Sequence, residues 1–150
     1  MKTIEEQLAA VQEDGYAIKH IDNPPPEVQL VAVCQTGYAI LYIKNPSLEV
    51  QIAAVQENRN SIKYIKDPHI EVQLGTVRQD GAAIYHIKDP IPEVQLAAVR
   101  ENGFAICFIE NPAPEIQLAA VQQNGRTIEF IKNPAQEVLD YLKTLEVMES

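Results

Sequence analysis

EVQLAAV, residues 93–99, decides the fold, because the same phrase returns along the chain at a fixed spacing of 22 residues. It reads EEQLAAV from Glu5, EVQLVAV from Glu27, EVQIAAV from Glu49, EVQLGTV from Glu71, EIQLAAV from Glu115 and, decayed, EVLDYLK from Glu137. A period of about 20 to 50 residues kept in register means one supersecondary unit copied and stacked. Each unit predicts a longer helix, a glycine turn, a shorter helix and a proline-rich return. In the second copy these parts are PEVQLVAVCQT, Gly37, YAILYIK and Asn45-Pro46. The expected fold is an all-α solenoid of two-helix repeats in a single domain over residues 1–150. Repeats start near residues 3, 25, 47, 69, 91 and 113, with a C-terminal capping helix over 135–148.

Two registers compete for the start of the longer helix. An Asn or Asp precedes a proline at Asn23, Asn45, Asp67, Asp89, Asn111 and Asn133, a pattern that suits an N-cap followed by N1. A second proline at Pro26, Pro92 and Pro114 disfavours the α conformation in the residue before it. The preferred register therefore places the N-cap at Pro25, Ser47, His69, Ile91 and Ala113, and at Thr3 in the first copy, where Thr3-Ile4-Glu5-Glu6 fits a capping box. Gly15, Gly37, Gly81, Gly103 and Gly125 are expected to close the longer helix in a left-handed conformation. Arg59 breaks that series, so its turn is expected to be the most strained.

The repeat also lets the chain be compared with itself. Gln7, Gln29, Gln51, Gln73, Gln95 and Gln117 do not vary. They read as buried amides satisfying nearby backbone, since an unpaired buried polar group costs about 1–3 kcal/mol; the other reading is an exposed binding ladder. Glu27, Glu49, Glu71, Glu93 and Glu115 fall in the first helical turn, where the helix dipole favours negative charge. They read as dipole chemistry or, alternatively, as an acidic stripe with a use. The shorter helix is well below the roughly 12–15 residues an isolated helix needs in water. It is held by tertiary packing through isoleucine pairs three apart, such as Ile40 with Ile43 and Ile62 with Ile65.

Composition narrows the function classes. Twelve basic and 21 acidic side chains give a net charge of -9, which argues against a general affinity for nucleic acid or an anionic membrane. No apolar run reaches the roughly 18 residues a membrane span requires. MKTIEEQLAA has carboxylates where a signal peptide needs an apolar core, so a cytoplasmic protein is expected. Cys34 and Cys107 lie three repeats apart, too far for a disulfide, and no Cys/His cluster suggests zinc. His20, His69 and His86 have no second ligand at i+4, and no Ser/His/Asp or Cys/His set can be assembled from nearby repeat positions. No enzyme, cofactor or metal is expected. The polar first copy and the decayed last one read as caps, because an exposed terminal layer must be polar.

EVQLAAVRENGFAI, residues 93–106, with its copies, resembles an uncharacterised family of tandem repeats of bacteria, phages and large DNA viruses. There an E-V-x-L-A-A-V helix is followed by Asn-Gly and a short Ala-Ile or Ala-Leu helix. More loosely, the chain resembles leucine-rich-repeat-variant and HEAT-like α-solenoids. The resemblance covers nearly the whole chain. It implies an α/α right-handed superhelix and a binding role, with no catalytic residues to carry over.

The shorter helix holds the variable positions, and there the candidate binding face lies: Tyr38, Leu41, Tyr42, Lys63, Tyr64, Tyr85, His86, Phe104, Cys107 and Phe108. Large apolar residues at variable positions are informative because a soluble surface rarely clusters them without use. The short-helix segments carry seven basic and five acidic side chains, and the rest of the chain carries five and 16. An aromatic, weakly basic ridge therefore opposes an acidic remainder. Two functions are expected. One is a protein-interaction scaffold whose short helices receive a protein or peptide. The other is an acidic decoy of the phage or mobile-element kind, which fills the basic nucleic-acid cleft of a host enzyme with its glutamate stripe. Direct nucleic-acid or membrane binding is not expected, and the chain reads as a monomer or weak homodimer.

Overall fold

The structure, a computed structural model, describes residues 2–150. All of its regular structure is helical, with no strand among the described residues. It comprises two compact units, residues 1–72 and 73–150. The first holds α1 (Ile4–Glu13), η1 (Gly15–His20), α2 (Pro26–Gln35), η2 (Gly37–Tyr42), α3 (Leu48–Glu57) and η3 (Arg59–Tyr64), where η marks a 3₁₀ helix. The boundary falls inside α4 (Ile70–Gln79), and the second unit continues with η4 (Gly81–His86), α5 (Pro92–Glu101), η5 (Gly103–Phe108), α6 (Pro114–Gln123), η6 (Gly125–Phe130) and α7 (Gln136–Glu149). In the first unit α1, α2 and α3 pack in sequence, η1, η2 and η3 do the same, and each later α helix also packs on the η helix before it. In the second unit α5, α6 and α7 form one layer and η4, η5 and η6 the other.

The helix starts follow the proline register. Pro25, Ser47, Ile91 and Ala113 are extended N-caps, and α4 begins directly after His69. At the N-terminus Thr3 Oγ1 accepts from Glu6 N at 3.2 Å while Thr3 N donates to Glu6 Oε2 at 2.8 Å, which completes the capping box. The competing Asn-Pro positions do something else. Asn23, Asn45, Asp89 and Asn111 sit at φ 48–50°, the left-handed region that Asn and Asp tolerate better than other side chains. They reverse the chain ahead of the next helix.

The glycines do not do what their spacing predicts. None has a positive φ, so they are not left-handed caps. Instead the long helix ends at an extended residue: Asp14, Asn58, Asp80, Asn102 and Asn124 use Oδ1 to accept from the N–H two residues on, at 2.9–3.1 Å, and so open the 3₁₀ helix. Except after Asn58, where Arg59 stands, Gly follows as the first 3₁₀ residue, and at Gly15, Gly37, Gly81 and Gly103 its missing side chain makes room for the neighbouring long helix. A Cβ on Gly15 would lie 2.5 Å from the Ala32 carbonyl oxygen, and one on Gly103 would lie 2.7 Å from that of Ala120. The same carbonyl faces Gly37 from Ala54 and Gly81 from Ala98. Arg59 also has no positive φ, so the left-handed strain expected of its turn is absent.

The short element is 3₁₀ rather than α, and its arithmetic decides what is buried. With about three residues per turn, positions one, four and seven share a side. Those positions are Gly37, Ile40 and Ile43, or Gly103, Ile106 and Ile109, and all six are buried. The glutamines bond to nearby backbone as the repeat predicts, but only Gln51 and Gln117 are buried; Gln7, Gln29, Gln73 and Gln95 are half-buried. Nε2 of Gln29, Gln51, Gln95 and Gln117 donates to the carbonyl of the proline five residues earlier at 2.8–3.0 Å. Oε1 of Gln51 accepts from His69 N at 3.0 Å, and Oε1 of Gln117 from Ala135 N at 2.9 Å. Gln51 and Gln117 thus tie the return before their own helix to the start of the next long helix. Gln7 Oε1 is buried without a partner; the residue equivalent to His69 in that repeat is Pro25, which has no N–H to give.

Candidate functional site

Positions two, five and six of each 3₁₀ helix turn away from the isoleucine floor, and the expected binding residues occupy them. Tyr38, Leu41, Tyr42, Lys63 and Tyr64 belong to the first unit, and Tyr85, His86, Phe104, Cys107 and Phe108 to the second. Leu41, Tyr42, Lys63, Tyr64, Tyr85, Phe104, Cys107 and Phe108 are exposed, whereas Tyr38 and His86 are half-buried. Tyr85 is the most open of the rings at 68% exposure, and Phe130 stands at 52%.

The rings are organised by a spacing the sequence reading did not use. Position two of one short helix meets position six of the next, so the partners stand one period and a further four positions apart. Tyr16 pairs with Tyr42 at 6.3 Å between centroids, Tyr38 with Tyr64 at 5.4 Å and Phe104 with Phe130 at 5.7 Å, all near perpendicular. Where position two is Ala82, Tyr85 takes over and meets Phe108 at 5.3 Å and His86 at 5.2 Å. Edge-to-face contacts of this kind contribute about 0.5–1.5 kcal/mol each beyond burial. In the first unit Lys63 Nζ lies 5.2 Å from the Tyr38 centroid and 4.7 Å from that of Tyr64, within cation–π range of both. Tyr16 and Phe130, outside the predicted set, therefore belong to the same ring pairs. The signal that finds them is an aromatic at position two followed by another at position six of the next copy.

The second unit has a groove of about 860 Å³ along this face. Ile84, Ile87, Ile106, Ile109 and Ile131 line its apolar part, with Tyr85, Cys107, Phe108 and Phe130 beside them. Glu110, Asn111, Pro112, Lys132 and Asn133 from the returns add hydrogen-bonding and charged groups. The exposed surface of the groove is more polar than apolar, because the isoleucines beneath it are buried and its open apolar area comes from rings such as Tyr85, Phe108 and Phe130.

The glutamate row is exposed at Glu27, Glu49, Glu71, Glu93 and Glu115. In the second unit it is not a pure carboxylate stripe. Glu93 shares a shallow groove with Arg78 and Arg100, and Glu115 shares one with Arg100. Both cysteines are free and exposed. Among the described residues no group of three or more His, Cys, Asp or Glu side chains is placed to hold a metal ion, and no helix is long and apolar enough to cross a membrane. No protein-family model, no curated protein and no solved structure matches the chain.

Proposed function

We propose that the chain is a non-enzymatic protein-interaction repeat, an α/α right-handed solenoid of 22-residue units that binds a protein or peptide through its short-helix face. The observation that carries this reading is the aromatic face beside an isoleucine-lined groove, with Tyr85 at 68% exposure. Rings left in water beside a groove are the material of interaction hot spots. The repeat resemblance agrees with a binding role. The decoy reading rests on the exposed glutamates, but Arg78 and Arg100 among them dilute the field that a mimic of nucleic acid needs.

Affinity capture from the source cell separates the two. The double variant Tyr85→Ser, Phe108→Ser is expected to lose the partner that wild type retains, at both low and raised salt, with an unchanged far-ultraviolet spectrum. Retention by the folded variant, together with release of the partner at about 0.5 M salt, where charges are screened within a few ångströms, would transfer the binding site to the glutamates.

A further inference from the structure

The repeat contains its own template for a cation site. In the first unit the perpendicular pair Tyr38 and Tyr64 has Lys63 Nζ over both rings, at 5.2 and 4.7 Å from the centroids. Three periods on, Phe104 and Phe130 make the same pair, at 5.7 Å and 78° against 5.4 Å and 81°. The residue in the position of Lys63 is there Glu129. One pair of rings is filled by the chain's own ammonium; at its equivalent the matching position of the repeat carries a carboxylate instead. Phe104, Glu129 and Phe130 are all exposed, and Phe130 also lines the isoleucine groove.

We propose that Phe104, Phe130 and Glu129 receive a lysine or arginine side chain from the bound partner, whose adjoining apolar residues lie against the exposed rings of Tyr85 and Phe108. This rests on the short-helix face being the binding face and adds the chemistry of what it selects. The ring faces attract a cation through their quadrupole, and the carboxylate opposes its charge. Arginine fits both demands, because its guanidinium stacks on an aromatic face while donating to a carboxylate. Arg126 is the competing cation on the same short helix, three residues before Glu129. Its removal is expected to strengthen binding.

The test is display of random peptides on wild type, Glu129→Lys and Tyr85→Ser with Phe108→Ser, each first shown to be folded by circular dichroism. Wild type is expected to enrich a consensus with one basic residue beside apolar ones. Glu129→Lys, which copies the arrangement at Lys63, is expected to keep the apolar positions and lose the basic one. The synthetic wild-type consensus peptide is expected to bind it about tenfold more weakly. Arg126→Ala is expected to bind that peptide at least as tightly as wild type. A consensus without a basic position, or one unchanged in Glu129→Lys, overturns the cation site while leaving the binding face in place. A consensus indifferent to Tyr85→Ser with Phe108→Ser, or no consensus from wild type, overturns the face itself.

Discussion

Replacing Gly103 and Gly125 by alanine, one at a time, asks what the repeated glycine is for. Both open a 3₁₀ helix in the second unit, and neither has a positive φ. At Gly103 the new methyl would stand 2.7 Å from the Ala120 carbonyl oxygen, 2.8 Å from Gln123 Oε1 and 3.0 Å from Thr127 Cγ2. α6 would have to retreat by roughly half an ångström, which strains the bond from Gly103 N to Gln123 Oε1, now 2.8 Å. Forcing a methyl into a packed site costs typically about 1–3 kcal/mol, and the stiffer unfolded chain returns about 0.4–1 kcal/mol. Gly103→Ala is therefore expected to lose about 1–2 kcal/mol. At Gly125 nothing lies within 4 Å of the added carbon, so only the unfolded-state gain remains, and Gly125→Ala is expected to be stabilised by about 0.5 kcal/mol. For a chain of this size the Tm changes by about 2–4 °C per kcal/mol, so the two variants separate by roughly 5 °C. Urea titration and thermal melting by circular dichroism measure both. Equal losses at the two positions would refute the close-approach explanation, since a left-handed requirement acts on every turn alike.

Three further outcomes follow from particular atoms. Asn45 has φ 50°, so Asn45→Ala is expected to cost about 1 kcal/mol and Asn45→Gly close to nothing, read as urea midpoints. Ser61 is fully buried with an unpartnered hydroxyl, where the other short helices have Ala17, Ala39, Ala83, Ala105 and, in the last, Thr127; Ser61→Ala is expected to gain about 1 kcal/mol, and a loss would mean that the hydroxyl is satisfied. Pro25 denies Gln7 the N–H that His69 gives Gln51. In a double-mutant cycle, Pro25→Ser is expected to be about 1 kcal/mol more favourable with Gln7 present than with Gln7→Leu; zero coupling refutes the assignment.

The repeat period made the helix pair legible, because apolar spacing and proline position act locally and recur. Second prolines fixed the helix starts, and invariant glutamine pointed to a buried amide that the hydrogen bonds of Gln51 and Gln117 bear out. The glycine was misread because an Asn-Gly pair ahead of a new helix carries two meanings in sequence. Only the carbonyl arriving from the next long helix, Ala32 to Gly15 or Ala120 to Gly103, separates a left-handed turn from a close approach. The 3₁₀ form was hidden for a related reason: isoleucines three apart suit both helix types. At the candidate site the ring positions were legible but their partners were not. Pairing of position two with position six depends on how one short helix is offset from the next.

That offset separates framework from face. Several contacts between successive repeats fall short of one full period: glycine to carbonyl, glutamine to N–H, and the N–H of Gly37 or Gly103 to the side chain of Glu57 or Gln123. They use backbone on at least one side, so they hold whatever stands at positions two, five and six. The ring pairs between repeats all reach beyond one period and use side chains on both sides. Variation on the face is thus free of the framework but not free within itself. Changing position two of one repeat removes the edge that holds position six of the next. Exposed rings already fixed by a neighbour give up less conformational entropy when a partner arrives. A paired aromatic face is therefore a better-prepared surface than the same rings scattered singly. Position five sets the chemistry beside those rings or, at Tyr85, supplies the ring itself, and it is where the chain places Lys19, Leu41, Lys63, Tyr85, Cys107 and Glu129 in turn.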